Sequence, residues 1–119
     1  AYNDPEGVTA EFNRNLLKRI NYELGLAIDV QAFAHEARYL TDPARIEMHL
    51  VALTDQTLAV AGQTYTLTAG ESFHTETSHK YTVKGFSQLA KRAGWQLTQY
   101  WCDAQNHFAV LLLKATAMT

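Results

Sequence analysis

Cysteine is almost absent from this chain, and long apolar runs and an excess of basic charge are absent as well. Cys102 is the one cysteine in 119 residues, so an internal disulfide is excluded. No apolar run approaches the roughly 20 residues that a helix needs to cross a bilayer, and no charged-then-apolar leader opens the chain. Ten Lys and Arg against twelve Asp and Glu give a net charge of -2, without a basic stripe to neutralise phosphates. We therefore expect a cytoplasmic protein without membrane or nucleic-acid partners.

Motifs for cofactor phosphates and for covalent catalysis are missing too. The glycines are isolated, and none opens a helix within a Gly-rich loop of the kind that cradles phosphates. Cys102, Ser72 and Ser78 are the candidate nucleophiles, but no nucleophile elbow or oxyanion-forming glycine run accompanies them. We predict neither a covalent catalyst nor a nucleotide-cofactor site in this sequence, and we expect Cys102 to be a half-buried strand residue.

The first part of the chain predicts a helix followed by antiparallel strands. Thr9 is available to cap this helix and Gly25 to end it. From Val8 to Leu24 the apolar residues recur at helical spacing: Val8, Phe12, Leu16, Leu17, Ile20 and Leu24. After a short helical turn from Asp29, the predicted strands cover residues 35–39, 46–53, 57–61 and 64–68. Turn residues at Asp42-Pro43 and Gly62-Gln63 favour hairpins.

The last part predicts one more helix and a terminal hairpin. Thr82 can cap a helix that Gly94 ends, and strands are predicted over residues 95–102 and 107–115. Residues 108–113 are apolar on both faces, which is typical of a strand buried between two layers. Because the preceding helix can cover only one face, we expect a partner layer from outside this chain. The predicted fold class is α+β.

The most informative stretch is residues 74–81, which looks extended yet is polar on both alternating faces. Residues two apart on a strand share a face, so one side is predicted to carry His74, Glu76, Ser78 and Lys80. A carboxylate beside a hydroxyl suits N–H groups on a small ligand. A plain polar edge strand explains the pattern equally well.

A metal site is another interpretation, since His74-x-Glu76-x-x-His79 loosely resembles the ligand runs of cupin metalloproteins. On an unbulged strand, however, His79 has the opposite parity to His74 and Glu76 and points away from them. We therefore predict no metal site. The remaining histidines are expected to be ordinary surface or core residues: His35, His49 and His107.

Several short motifs agree in order and spacing with one protein family. They are residues 1–4 (Ala-Tyr-Asn-Asp), 7–13, 19–24, 45–50, 69–71 and 74–81, then Gly94-Trp95, Trp101-Cys102-Asp103 and the apolar closing strand. Together they resemble the C-terminal part of the histidine-specific, S-adenosylmethionine-dependent methyltransferases of ergothioneine biosynthesis. The resemblance covers essentially the whole chain.

The resemblance implies a two-part enzyme in which residues 1–80 form most of a histidine-binding domain. Residues 81–119 would be the last helix and the terminal β-hairpin of a Rossmann-like class I methyltransferase domain. The site for the cosubstrate S-adenosylmethionine would lie upstream of Ala1, in a missing N-terminal portion, and this chain would hold no cofactor-binding or metal-binding residue. The parent enzyme would methylate the α-amino nitrogen of L-histidine, finishing at the trimethyl betaine.

By the same resemblance, the expected substrate-binding residues are Tyr2, Met48, Glu76 and Ser78. Glu76 and Ser78 would hydrogen-bond the two imidazole nitrogens, and their chemistry supports this because a carboxylate accepts while a hydroxyl donates or accepts. Met48 would pack beside the ring, and Tyr2 would lie near the amino-acid end of the substrate. These residues would position histidine, and none would be a catalytic acid or base.

Two other classes of protein fit the same order of elements. A small cone-shaped α+β ligand-binding domain, with its N-terminal helix over a curved sheet, would be monomeric without any upstream portion. A cupin-like protein would hold a metal ion instead. If the methyltransferase interpretation is right, the exposed edge and face of the terminal hairpin are expected to drive self-association of this chain.

Overall fold

Two compact units, Ala1–His79 and a second that starts at Lys80, make up the computed structural model, which describes residues 1–117. The first unit contains α1 (Val8–Leu24), a 3-10 turn (Val30–Ala32), β1 (Phe33–Thr41), β2 (Ala44–Ala52), β3 (Gln56–Val60), β4 (Gln63–Leu67) and β5 (Ser72–His79). The second contains α2 (Val83–Arg92), β6 (Trp95–Cys102) and β7 (Ala109–Ala115). The strand pairs are antiparallel, so the predicted α+β class is confirmed. Neither described helix is long and apolar enough to cross a membrane.

Helix α1 begins where a side chain from the preceding turn satisfies its first N–H groups. Gly7 takes a left-handed conformation (φ 74°) just before the helix. The Asp4 carboxylate accepts from the N–H groups of Val8 (2.9 Å) and Thr9 (3.0 Å). The prediction that Thr9 caps the helix is wrong, because its hydroxyl donates to an upstream main-chain carbonyl instead. Gly25, at φ 64°, ends the helix as predicted.

Strand β2 is central in a three-stranded sheet of order β1-β2-β5, and α1 packs on β1 and β2. The buried core of this unit consists of Leu17, Phe33, Leu50 and Ala52. The rings of Phe33 and Phe73 stack with 5.7 Å between their centroids, which joins β1 to β5. The sheet therefore presents one face to the helix around a small apolar core.

Strands β3 and β4 form a separate hairpin with a two-residue turn. The turn residues are Ala61 and Gly62, one position earlier than predicted. Both have positive φ angles, 50° and 77°, as tight hairpin turns require.

A β-bulge in β5 changes which residues share a face of the sheet. Met48 of β2 pairs with Glu76, but the next residue, His49, pairs with His74, so Thr75 is left out of the register. Residues directly opposite each other on neighbouring strands share a face, so Glu76 lies with Met48 and His74 lies with His49 on the other face. The prediction that His74 lies on the same side as Glu76 is therefore wrong.

In the second unit, α2 packs against β6 of the terminal hairpin. The Thr82 hydroxyl accepts from the N–H of Gly85 at 3.0 Å, which confirms the predicted cap. Gly94, at φ 86°, follows the helix as predicted. Strand β7 begins two residues later than predicted, because the Asp103 carboxylate accepts from the N–H of Phe108 and holds that residue in the turn.

One face of the terminal hairpin is exposed. Val110 and Leu112 of β7 are 51% and 53% exposed, and Trp101, opposite Val110 on β6, is 49% exposed. An uncovered face agrees with the expectation that the layer covering this strand lies outside the chain, and the layer itself stays a prediction. Cys102 is exposed, not half-buried, so that prediction is wrong.

Candidate functional site

The four predicted substrate-binding residues come together on one side of the first unit. Tyr2, Met48 and Glu76 line a hollow of about 430 Å³. The phenol oxygen of Tyr2 lies 3.0 Å from the hydroxyl of Ser78, a hydrogen bond that joins residues 76 positions apart. The fold thus brings a carboxylate, two hydroxyls and a thioether to one place.

The register of β5 on β2 determines this arrangement. Glu76 lies opposite Met48, and Ser78 lies opposite Ile46, so both side chains are on the same face of the sheet. Met48 is buried and Glu76 is exposed, which gives the hollow an apolar floor and an acidic rim. Such a surface can accept N–H groups while packing against an apolar or aromatic ring.

The sequence alone missed the contribution of α1 to this hollow. Val8, Thr9 and Phe12 line it together with the predicted residues. Val8 and Phe12 belong to the apolar positions that predicted the helix, but they are 69% and 73% exposed. A smaller hollow of about 140 Å³ shares Phe12 with the first. No signal in the sequence separated Val8 and Phe12 from Leu17, because all three belong to the same apolar positions at helical spacing.

On the opposite face of the sheet, Glu47 joins two histidines and an arginine. Its Oε1 lies 2.9 Å from Nε2 of His49 and 4.0 Å from Nε2 of His74, and its Oε2 accepts from Nε of Arg45 at 2.9 Å. The hydrogen bond from His49, followed by the one from Arg45, lowers the pKa of the Glu47 carboxyl below its ordinary value. Glu47 is therefore a charged acceptor between its neighbours.

Within residues 1–117, Glu47, His49 and His74 are the group whose potential metal-ligand atoms lie within 4.8 Å of one another. The two imidazole rings stack at 4.7 Å with 18° between their planes. Their lone pairs therefore lie in two nearly parallel planes, whereas binding of one shared ion needs lone pairs that converge on a point. This cluster differs from the His74-x-Glu76-x-x-His79 pattern, because the bulge turns His74 away from Glu76. The absence of a metal site remains a prediction.

Ser72 extends the same cluster into a hydrogen-bonded chain. Its hydroxyl lies 3.2 Å from Nδ1 of His49, whose Nε2 in turn meets Glu47. His49 is only 5% exposed and both its ring nitrogens have partners. We interpret it as a core histidine with satisfied hydrogen bonds.

The fold and the hollow define a class, an α+β protein with a small hollow of apolar and acidic side chains beside its N-terminal helix. Residues 1–115 match the family model described as histidine-specific methyltransferase, SAM-dependent, and the chain belongs to that family. The family resemblance noted in the sequence is confirmed.

Two curated relatives are similar to almost the whole chain. They are the histidine N-alpha-methyltransferases of Mycolicibacterium smegmatis and Mycobacterium tuberculosis, each 40% identical over 114 residues. The matched region covers 94% of this chain and 36% of each relative, so the chain spans about a third of the length of these relatives.

Proposed function

We propose that this chain is the histidine-binding portion of an enzyme that transfers methyl groups from S-adenosylmethionine to the α-amino nitrogen of L-histidine, finishing at the trimethyl betaine. The observation that carries the proposal is the placement of Tyr2, Met48 and Glu76 around one hollow, with the Ser78 hydroxyl 3.0 Å from the phenol oxygen of Tyr2. Family membership and the names of the two relatives support the choice of substrate.

Each side chain in the hollow has a role in holding histidine. The Glu76 carboxylate accepts from one imidazole N–H, and the Ser78 hydroxyl bonds the other ring nitrogen. The phenol of Tyr2 orients that hydroxyl through the 3.0 Å contact, and the Tyr2 main chain borders the amino-acid end of the substrate. Met48 supplies an adaptable apolar surface under the ring. Hydrogen bonds to both ring nitrogens discriminate histidine from side chains of similar shape.

The reaction needs positioning more than it needs an acid or a base from these residues. The lone pair of a neutral amine forms the N–C bond while the S–C bond of the sulfonium breaks and S-adenosylhomocysteine leaves. Rate then depends on holding the amine in line with the methyl carbon, at a near-attack distance of roughly 3 Å. Residues of the hollow fix the imidazole and so fix the amine relative to the donor.

The methyl donor is proposed to bind outside this chain. The sequence has no Gly-rich donor loop, and the relatives are about three times as long as the matched region. In this proposal residues 1–80 belong to the histidine domain, and residues 81–119 are the last helix and hairpin of the Rossmann-like methyltransferase domain. The exposed apolar face of that hairpin is proposed to pack on the missing layer, or on a second copy when the layer is absent.

The test is a titration of the ¹⁵N-labelled 119-residue chain with L-histidine, followed by NMR. Histidine is expected to shift the amide signals of Tyr2, Met48, Glu76 and Ser78. Glu76→Ala is expected to weaken binding roughly tenfold or more, because a hydrogen bond to a charged acceptor is lost. Glu71→Ala, an exposed acid at the turn before β5, is the matched control and should bind like wild type.

Two results would contradict the proposal. One is a spectrum that does not respond to histidine at all. The other is unchanged affinity in Glu76→Ala, which would remove Glu76 from the site.

A further inference from the structure

A buried amide lies directly beneath the hollow and connects three strands to α1. Asn13 is 3% exposed. Its Nδ2 lies 2.9 Å from Nδ1 of His35 and donates to the carbonyl of His49 at 3.2 Å, and its Oδ1 accepts from the hydroxyl of Thr75 at 2.7 Å. The nitrogen and the oxygen of this buried amide thus both have hydrogen-bond partners within the protein.

The same network reaches both walls of the hollow. The Thr75 hydroxyl, on the bulged residue of β5, also lies 3.0 Å from the carbonyl of Met48. At the other end, Nε2 of His35 lies 2.8 Å from the carbonyl of Tyr2. Asn13 thus connects the strand that carries Met48 to the segment that carries Tyr2.

These partners determine the tautomer of His35. A carbonyl only accepts, so Nε2 must carry a hydrogen in order to bond Tyr2. The orientation of the Asn13 amide follows from its other contacts, because its nitrogen faces the His49 carbonyl and its oxygen faces the Thr75 hydroxyl. The Asn13 nitrogen therefore donates to Nδ1 of His35, which must accept. In this network Nε2 of His35 donates and Nδ1 accepts.

We propose that His35 is a positioning residue for histidine binding, fixed in this tautomer by Asn13 so that it holds the Tyr2 main chain at the rim of the hollow. The proposal rests on the proposed function for the identity of the ligand. The hydrogen-bond relay, which we define as the bonds from Asn13 to His35 and from His35 to the Tyr2 carbonyl, does not depend on which ligand binds. His35 does not line the hollow, so its effect on the ligand passes through Tyr2.

A ligand-free measurement tests the relay. Long-range ¹H–¹⁵N correlation of the ¹⁵N-histidine-labelled chain at neutral pH is expected to give His35 one protonated nitrogen, Nε2, and one unprotonated nitrogen, Nδ1. His35→Gln identifies the signal by its loss. A proton on Nδ1, in the other tautomer or in an imidazolium, would overturn the proposal.

Two substitutions separate the two ends of the His35 ring. In His35→Gln the amide nitrogen can reach the position of Nε2 and bond Tyr2, whereas in His35→Asn the amide oxygen can replace Nδ1 and bond only Asn13. We expect His35→Gln to keep histidine affinity within about threefold of wild type. His35→Asn is expected to lose roughly three- to tenfold, as His35→Ala does, because one hydrogen bond is lost.

A structural role and a positioning role give different results in this pair. His35→Asn keeps the buried bond to Asn13, so its melting temperature should stay near that of wild type while the heteronuclear NOE of the Tyr2 amide falls. Equal histidine affinity in His35→Asn and wild type, or equal loss in His35→Gln and His35→Ala, would overturn the proposal. If the wild-type chain does not bind histidine, the proposed function fails. The tautomer of His35 and the heteronuclear NOE of the Tyr2 amide still test whether the relay exists, because neither measurement needs a ligand.

Discussion

At the scale of single residues, Asp4 holds the first turn of α1. A helix begins with N–H groups that have no partner within the helix, and the Asp4 carboxylate takes those of Val8 and Thr9. These bonds, with the main-chain bond from Thr9 as the largest cause, lower the pKa of Asp4 from 3.8 to about 2.

The stability that Asp4 contributes is expected to depend on pH in a defined direction. A carboxyl whose pKa is lower in the folded state stabilises the fold above its unfolded value, here 3.8, and loses this effect as pH falls toward about 2. Urea unfolding of wild type and Asp4→Ala should therefore differ by a constant free energy above pH 5, and the difference should shrink between pH 4 and pH 2.

Glu6→Ala, in the same exposed turn, is the control and should follow wild type at each pH. A difference between wild type and Asp4→Ala that does not change with pH would show that the carboxylate does not cap the helix.

At the scale of elements, α1 uses two sides of one apolar stripe for different purposes. Leu17 is 2% exposed and packs in the core with Phe33 and Leu50. Phe12 is 73% exposed and lines the hollow with Val8. The helix therefore has a structural side, which faces the sheet, and a side whose apolar residues border the site.

Leu17→Ala is expected to lower the free energy of unfolding of the first unit by about 2–5 kcal/mol, because it leaves a cavity in a closed core. Tyr22→Ala is the control on the same helix; Tyr22 is 90% exposed, so its loss should change the free energy by less than about 0.5 kcal/mol. Urea denaturation followed by circular dichroism measures both. Equal effects of the two substitutions would contradict the packing of α1 described above.

At the scale of the whole molecule, association depends on the second unit, whose terminal hairpin carries an apolar face that the described residues of that unit leave exposed. Val110, Leu112 and Phe108 of the terminal hairpin are between 51% and 70% exposed, with Trp101 beside them. Water-exposed apolar side chains at this density favour association with another surface.

Self-association of the 119-residue chain is therefore expected, and light scattering across a concentration series should give a mass above that of the monomer. The double substitution Val110→Lys and Leu112→Lys should return the chain to a monomer, since lysine at these positions opposes burial of the face. Gln105→Lys, in the turn of the same hairpin, adds a comparable charge and should leave association unchanged. A wild-type chain that is monomeric at every concentration would contradict the prediction that this apolar face drives self-association.

Several features could be predicted because their causes are local in sequence. Apolar spacing predicted α1, Gly25 predicted its end, and Thr82 predicted the start of α2. The Thr9 cap was predicted wrongly because α1 already begins at Val8, where the Asp4 carboxylate accepts from the first N–H groups, so Thr9 lies inside the helix. The turn at Phe108 was misplaced because the Asp103 carboxylate extends it.

The sequence by itself determined the α+β class, the end of α1, the start of α2 and the membership of a methyltransferase family, because periodicity, caps and motif order are properties of neighbouring residues. Only the tertiary structure decided which polar residues share a face. The unpaired Thr75 shifts the register of β5, so Glu76 meets Met48 while His74 stacks on His49. That outcome depends on hydrogen bonds between distant segments, among them the bond from Thr75 to Asn13, and the local pattern of alternation cannot contain it.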